Sequence, residues 1–199
     1  MAPAKQNDRY GIIDLDGNFV VSPRFDSCDA FQKDVAVITS DEKWGLTDRT
    51  GKILIPPQFD LIDGYANGAF FDGMAVAVNG DKYGVINQTG KIVVAPKYDF
   101  VGDYGEGLAL VEVKKKFGFI DKNGDHAIAP NYADAGVFAD GLAQVKIEKT
   151  WGFINTEGTI MIQPRFDEVL PFQDGLAWVS YQEKWAYIDR WGDVVWQEA

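Results

Sequence analysis

The chain has 199 residues, 46% of them hydrophobic and 14% aromatic, enough for one domain or one continuous repeat array. Its formal charge of −11 repels nucleic acid and anionic lipid surfaces, and its one cysteine, Cys28, rules out an intramolecular disulfide. No apolar run is long enough for a membrane-spanning helix or a signal peptide, so a soluble cytoplasmic protein without membrane contact is expected.

Residues 1–8 are polar and read as an N-terminal tail. A recurring pair then begins: Tyr10-Gly11, Trp44-Gly45, Tyr83-Gly84, Phe117-Gly118, Trp151-Gly152 and Trp185-Ala186, spaced by 34, 39, 34, 34 and 34 residues. A fixed period of this length marks a repeat architecture, here one array over 9–199 with units starting near 10, 44, 83, 117, 151 and 185.

Each unit follows the same order. The opening segment, as in Trp151-Gly152-Phe153-Ile154-Asn155, is aromatic and β-branched and reads as a strand. Asp or Asn stands four residues after the leading aromatic (Asp14, Asp48, Asn87, Asp121, Asn155, Asp189). Glycine stands seven after it (Gly17, Gly51, Gly90, Gly124, Gly158, Gly192). That pair makes a tight turn, because the side chain bonds its own backbone and glycine accepts positive φ. A second strand such as Lys52-Ile53-Leu54-Ile55 closes a hairpin and stops at Pro23, Pro57, Pro96, Pro130 or Pro164. An aromatic-aspartate pair follows in most units, then a loop holding one more aromatic. A third strand comes last, such as Leu142 to Ile147, with Ala143, Val145 and Ile147 on one face.

The expected fold is therefore all-β, a tandem array of about six units, each a meander of about three short antiparallel strands. An open twisted or superhelical array is favoured over a closed, propeller-like ring, because propeller blades usually have four strands and more residues. A unit this small cannot bury enough surface alone, so stability must come from contacts between neighbours. The glycine beside each leading aromatic is expected to make room for an aromatic ring from the next unit. The first unit, with no third strand before it, and the last, with Ala186 and Val195-Trp196, read as caps.

These residues resemble a known family. Trp-Gly-Phe-Ile-Asx-x-x-Gly, then Pro-x-Tyr/Phe-Asp, then Phe-x-x-Gly-Leu-Ala is similar to the WG repeat, or KWG repeat, of bacterial proteins. Lys43-Trp44-Gly45, Lys82-Tyr83-Gly84 and Lys116-Phe117-Gly118 carry the leading lysine, and Gly107-Leu108-Ala109, Gly141-Leu142-Ala143 and Gly175-Leu176-Ala177 carry the later piece. The resemblance covers essentially residues 9 to 197. It implies a bacterial all-β binding scaffold, in some cases a presumed immunity protein beside a toxin, and it supplies no catalytic residues.

No catalytic, metal or cofactor site is expected. The aspartates recur at a turn position where they have a structural task. His126, the only histidine, and Cys28 lie in different units, too few for a triad or a zinc site. Function is instead sought where the copies disagree. The five-residue insertion at 63–73 holds Tyr65, Phe70 and Phe71, which either fill a local core or line a binding loop or small-ligand pocket. Lys114, Lys115 and Lys116 fall at a strand-to-strand turn in the one repeat unit whose charge is positive, either a solvated turn or a contact. Trp178 stands where neighbouring units have Gln144 or Leu110, on the face opposite Ala177 and Val179. Trp191 replaces polar turn residues such as Thr50, Thr89 and Asn123. Both either cover the end of the array or meet a partner. The leading expectation is a non-enzymatic protein-binding scaffold with a basic protein partner. The alternatives are a receptor or enzyme with a pocket near 63–73, or a structural domain of a larger assembly.

Overall fold

The structure, a computed structural model, describes residues 1–63 and 70–198, without the side chain of Asp63. Tyr65 lies outside the described residues. Among those described, every regular element is a strand, and antiparallel pairing gathers the strands into six sheets. The protein is an all-β tandem repeat.

The sheets share one plan. In the fifth, Asp134–Ala135, Leu142–Ile147, Thr150–Asn155 and Ile160–Phe166 lie side by side in chain order. In the sixth, Glu168–Val169, Leu176–Tyr181, Lys184–Asp189 and Val194–Gln197 do the same. Beside the three expected strands stands a short opening strand, placed because the chain leaves the aromatic-aspartate corner directly alongside the next long strand. Its two residues in the fifth and sixth sheets are too few to show a pattern in the sequence. The sequence repeat starts at the third strand of a sheet. Every four-stranded sheet therefore joins the end of one repeat to the start of the next, and main-chain hydrogen bonds tie the repeats together.

The first sheet corrects an expectation. Ala2–Gln6, inside the segment read as a tail, pairs with Arg9–Ile13 from Ala2↔Ile13 to Gln6↔Arg9. It supplies the strand that the first unit was expected to lack. Three of its residues (Ala2, Pro3, Ala4) are small, with no bulky β-former to announce a strand.

The turns are built as the repeated residues dictate. Asp48 accepts hydrogen bonds from the N–H groups of Thr50 and Lys52 at 2.8 and 3.0 Å, and Asp14, Asn87, Asp121, Asn155 and Asp189 make the same pair of bonds. The aspartate after the second aromatic has another task. Asp26, Asp60, Asp99 and Asp167 accept from the main-chain N–H of Asp41, Gly80, Lys114 and Gln182, in the turn between the second and third strands. In the 41–42, 114–115 and 182–183 turns both central residues have positive φ. That is the hairpin geometry that matches strand twist, but it strains residues other than glycine.

The described residues form two compact units, Met1–Lys97 and Tyr98–Ala199. Within each, the core lies between consecutive sheets. In the second unit one cluster joins Leu110, Phe119 and Ile128 to Ala143, Val145 and Ile154 of the next sheet. A second joins Phe153, Ile162 and Phe166 to Phe172, Ala177 and Ile188. The first unit repeats the arrangement with Ile12 and Val21 against Ala36 and Ile38, and with Leu46 and Ile55 against Ala75 and Ile86. The recurrent aromatics bridge the sheets: Phe138 lies 4.7 Å from Phe119 and Phe172 lies 4.9 Å from Phe153, centroid to centroid. Each fully buried Phe or Ile contributes about 1.5–3 kcal/mol through burial.

The glycine beside the leading aromatic has a different cause from the one expected. A Cβ on Gly152 would meet no ring. It would stand 2.5 Å from the Ile162 carbonyl oxygen and 2.7 Å from the Pro164 nitrogen. Gly45, Gly84 and Gly118 meet the corresponding main-chain atoms of Ile55 and Pro57, Val94 and Pro96, and Ile128 and Pro130. The outer strand bulges here. Trp151 pairs with Phe166 and Phe153 with Ile162, so three residues stand opposite Gly152 alone. Proline cannot donate to the ladder, and the swollen backbone needs the room that only glycine leaves.

Candidate interaction surface

The sixth sheet departs from this plan at its outer strand. Glu198 stands where the other units have proline, and its N–H donates to the Trp185 carbonyl at 2.9 Å. The strand stays in the ladder, with Gln197 paired to position 186 and Trp196 to Tyr187. No bulge crosses position 186, and alanine is accommodated there.

Trp178 stands on the face opposite Ala177 and Val179, which are packed against the fifth sheet. The register Trp178↔Tyr187↔Trp196 runs across three strands. Trp178 is stacked between Trp185 at 5.4 Å and Trp196 at 5.8 Å, with interplanar angles of 8° and 19°, and Tyr187 tilts against it at 4.4 Å. Such stacking holds large rings rigid at low entropic cost. The corresponding face of the fifth sheet is covered: Phe153 is fully buried, whereas its counterpart Tyr187 is 41% exposed and Trp196 is 51% exposed. Beside the rings lies an open cleft of about 620 Å³ lined by Leu170, Phe172, Gln173, Asp174, Trp178 and Tyr187.

Of the residues singled out from sequence, Trp178 thus joins a cluster. Trp191 is separately exposed, on the Asp189 turn, where its N–H donates to the aspartate carboxylate. Trp185, Tyr187 and Trp196 were missed. The first was absorbed into the repeat and the last into an array end, although the spacing of 185 and 187 places both on one face of a strand. Phe70 packs against the core between the second and third sheets and is the unit's recurrent aromatic, displaced by the insertion. Phe71 is exposed and flanks the Asp72-Gly73 turn. Lys114 and Lys115 occupy a turn as expected, with Lys116 opening the next strand.

The remaining polar residues have structural surroundings. His126 is exposed, with its ring edge-on to Tyr98 at 5.8 Å. Burial, then the nearby Asp29 charge, pushes the Cys28 thiol up to about 11, leaving it a protonated core residue. Among the described residues, no three His, Cys, Asp or Glu side chains converge as a metal site, and no helix is long and apolar enough to cross a membrane.

Comparison with known proteins finds similar solved structures and one sequence family. The structures of Hsv2 from Kluyvelomyces marxianus and Hsv2p from Kluyveromyces lactis align at 8% and 9% identity, each with a TM-score of 0.47. They cover 87% and 96% of this chain and 62% and 71% of their own. The chain thus spans less than two thirds of the first of these proteins. The WD40 beta propeller domain of Doa1 aligns at 13% identity and a TM-score of 0.37, over 98% of this chain and 70% of that domain. No curated protein sequence matches. The model of the WG containing repeat matches five consecutive segments, residues 10–44, 44–83, 83–117, 117–151 and 151–185, whose boundaries fall on the leading aromatics, and the chain belongs to that family.

Proposed function

We propose that this protein is a non-enzymatic, cytoplasmic protein-binding scaffold that takes a basic protein partner on the aromatic face of its sixth sheet. The observation that carries this reading is the stack of half-buried Trp178 and Trp185 with Trp196 and Tyr187, the last two exposed where the equivalent face of the fifth sheet is covered. Clustered Trp and Tyr in a preformed arrangement are what dominates binding energy at protein interfaces. The charge of −11 favours a basic partner and speeds its encounter. An immunity- or antitoxin-like role, as the family resemblance implies, fits this charge. Phe71, Trp191 and the Lys114–Lys116 turn are secondary contact candidates.

Affinity capture with the full chain, followed by mass spectrometry, tests the reading. One basic protein should be retained, its affinity should fall as salt rises, and Tyr187→Ala should weaken it roughly tenfold or more. Retention that ignores both salt and Tyr187 would remove the proposal. A second reading, a small-ligand receptor, draws on the cleft of about 620 Å³, a volume usual for ligand sites. It requires a small molecule that binds there and competes with the protein partner.

A further inference from the structure

Among the described residues, every sheet ends in an outer strand with one free edge. In five of the six that strand contains proline: Pro23, Pro56-Pro57, Pro96, Pro130 and Pro164. Proline and a bulge are how β proteins keep an edge from pairing with another chain. Val194–Gln197 has no proline and stays in register at Trp196 and Gln197, its one register shift falling at Val195, and all four of its residues are exposed. Because the Glu198 N–H points inward to Trp185, antiparallel alternation turns the N–H and C=O of Gln197 outward, away from the sheet.

The missing bulge leaves a second feature. In the fifth sheet the swollen backbone fills the space over Gly152. In the sixth that space is a cavity of about 260 Å³ beside the edge, lined by Phe166, Val179, Ala186, Ile188, Val194 and Gln197, with Arg165 and Lys184 at its rim. Arg165 is held by the Gly192 carbonyl at 2.7 Å.

We infer that this edge accepts an extended segment of a protein partner as an added antiparallel strand, with an apolar side chain in the cavity and basic residues at its two ends. The inference rests on the scaffold reading above and specifies how the partner docks. Main-chain bonds supply affinity in this mode, and pockets for alternate side chains supply selectivity. The two rim cations exclude a basic side chain from the cavity. Asp193 and Glu198 flank the strand, so basic residues belong at the ends of the segment. The same two carboxylates disfavour a second copy of this chain, since antiparallel self-pairing centred on Val195 and Trp196 would set Asp193 opposite Glu198 twice.

The test titrates the full chain with the acetylated, amidated peptide Lys-Thr-Leu-Thr-Leu-Lys and its counterpart with glutamate ends, reading tryptophan fluorescence. The lysine peptide should bind roughly tenfold or more tightly than the glutamate peptide. N-methylating alternate residues should abolish binding when the methyl groups fall on one edge of the peptide and not on the other. Gln197→Pro, which removes the outward donor, should abolish binding as well, and the peptide methylation series decides the matter if that variant does not fold. Equal affinity for the two peptides, indifference to which edge is methylated, or no binding overturns strand addition. Capture of a basic protein that is lost in Tyr187→Ala yet kept in Gln197→Pro also overturns it, while upholding the scaffold reading.

Discussion

The fifth and sixth sheets come from the same repeat and differ at three coupled places. The fifth has Pro164, a bulge and Gly152. The sixth has Glu198, a ladder unbroken from Ala186 to Tyr187, and alanine in place of the glycine. Proline and glycine at these positions are therefore one device rather than two preferences: proline ejects the strand from the ladder, and glycine admits the ejected backbone. The faces differ in step, with Phe153 fully buried and Tyr187 41% exposed at the matching position. Where the device is absent, the outer strand stays in the ladder, with a cavity beside it and an open row of rings on the sheet's face.

The largest expected effect contrasts the two faces. Phe153→Ala removes a fully buried ring that packs on Phe172 and should cost about 3–5 kcal/mol of stability. Tyr187→Ala, half-exposed at the equivalent place, should cost at most about 1–2 kcal/mol. Urea denaturation followed by circular dichroism compares them. Equal losses would mean that the open face is as much a core as the closed one.

The coupled device comes next. Gly152→Ala sets a Cβ against main-chain atoms that cannot swing aside and should destabilise by about 1–3 kcal/mol. Ala186→Gly adds only the entropic weakness of glycine in a strand, about 0.5–1 kcal/mol. Adding Glu198→Pro should reverse this second sign, making glycine at position 186 better tolerated than alanine. If alanine at that position remains better tolerated than glycine in the Glu198→Pro background, the coupling does not exist.

The same comparison explains what was legible in the sequence. Spacing alone revealed the repeat, its hairpins and its Asx turns, because Asp48 or Asn155 acts through bonds to residues two and four positions on. The cause of Gly152 was hidden, since the atoms that require it belong to a bulge formed by pairing, not by local preference. The short opening strands and Ala2–Gln6 were hidden for the same reason. The candidate surface was half legible. Trp178 stood out as an exception, but Trp185 looked like every other leading aromatic, and only the register across three strands brings it beside Trp178 and Trp196.

A smaller effect concerns the turn caps. Asp99 and Asp167 accept the first N–H of the turns at 114 and 182, whereas Ala133 offers nothing to Glu148, which also has positive φ. Ala133 is exposed, so Ala133→Asp has room to restore the cap. It should raise stability by about 0.5–1 kcal/mol, and Asp167→Ala should lower it by about the same amount. No gain at 133 would mean that the strained turn is held by the ladder alone.

The smallest effect is a pH dependence, and it sharpens the contrast between a carboxylate held by an ion pair and one held by main-chain bonds. The Lys43 ammonium first, then the Gly80 N–H, hold the Asp60 carboxyl below the ordinary value of 3.8. The Asn18 N–H above all lowers Asp14. Burial pushes Asp48 and Asp121 up, but the Thr50 hydroxyl with turn N–H groups at Asp48, and turn N–H groups at Asp121, outweigh it. A carboxyl whose folded value lies below its unfolded value stabilises the fold above the unfolded value. That contribution is lost as pH falls through the folded one. Stability should therefore decline on acidification below roughly pH 4, and the decline should be shallower in Asp60→Asn, which keeps an acceptor but cannot titrate. Because these carboxylates face solvent, salt should flatten the Asp60 part more than the Asp14 part, which rests on main-chain bonds rather than on an ion pair. Lys43→Ala should likewise make the acid limb shallower, and an acid limb unchanged by both Asp60→Asn and Lys43→Ala would mean that this ion pair carries none of it.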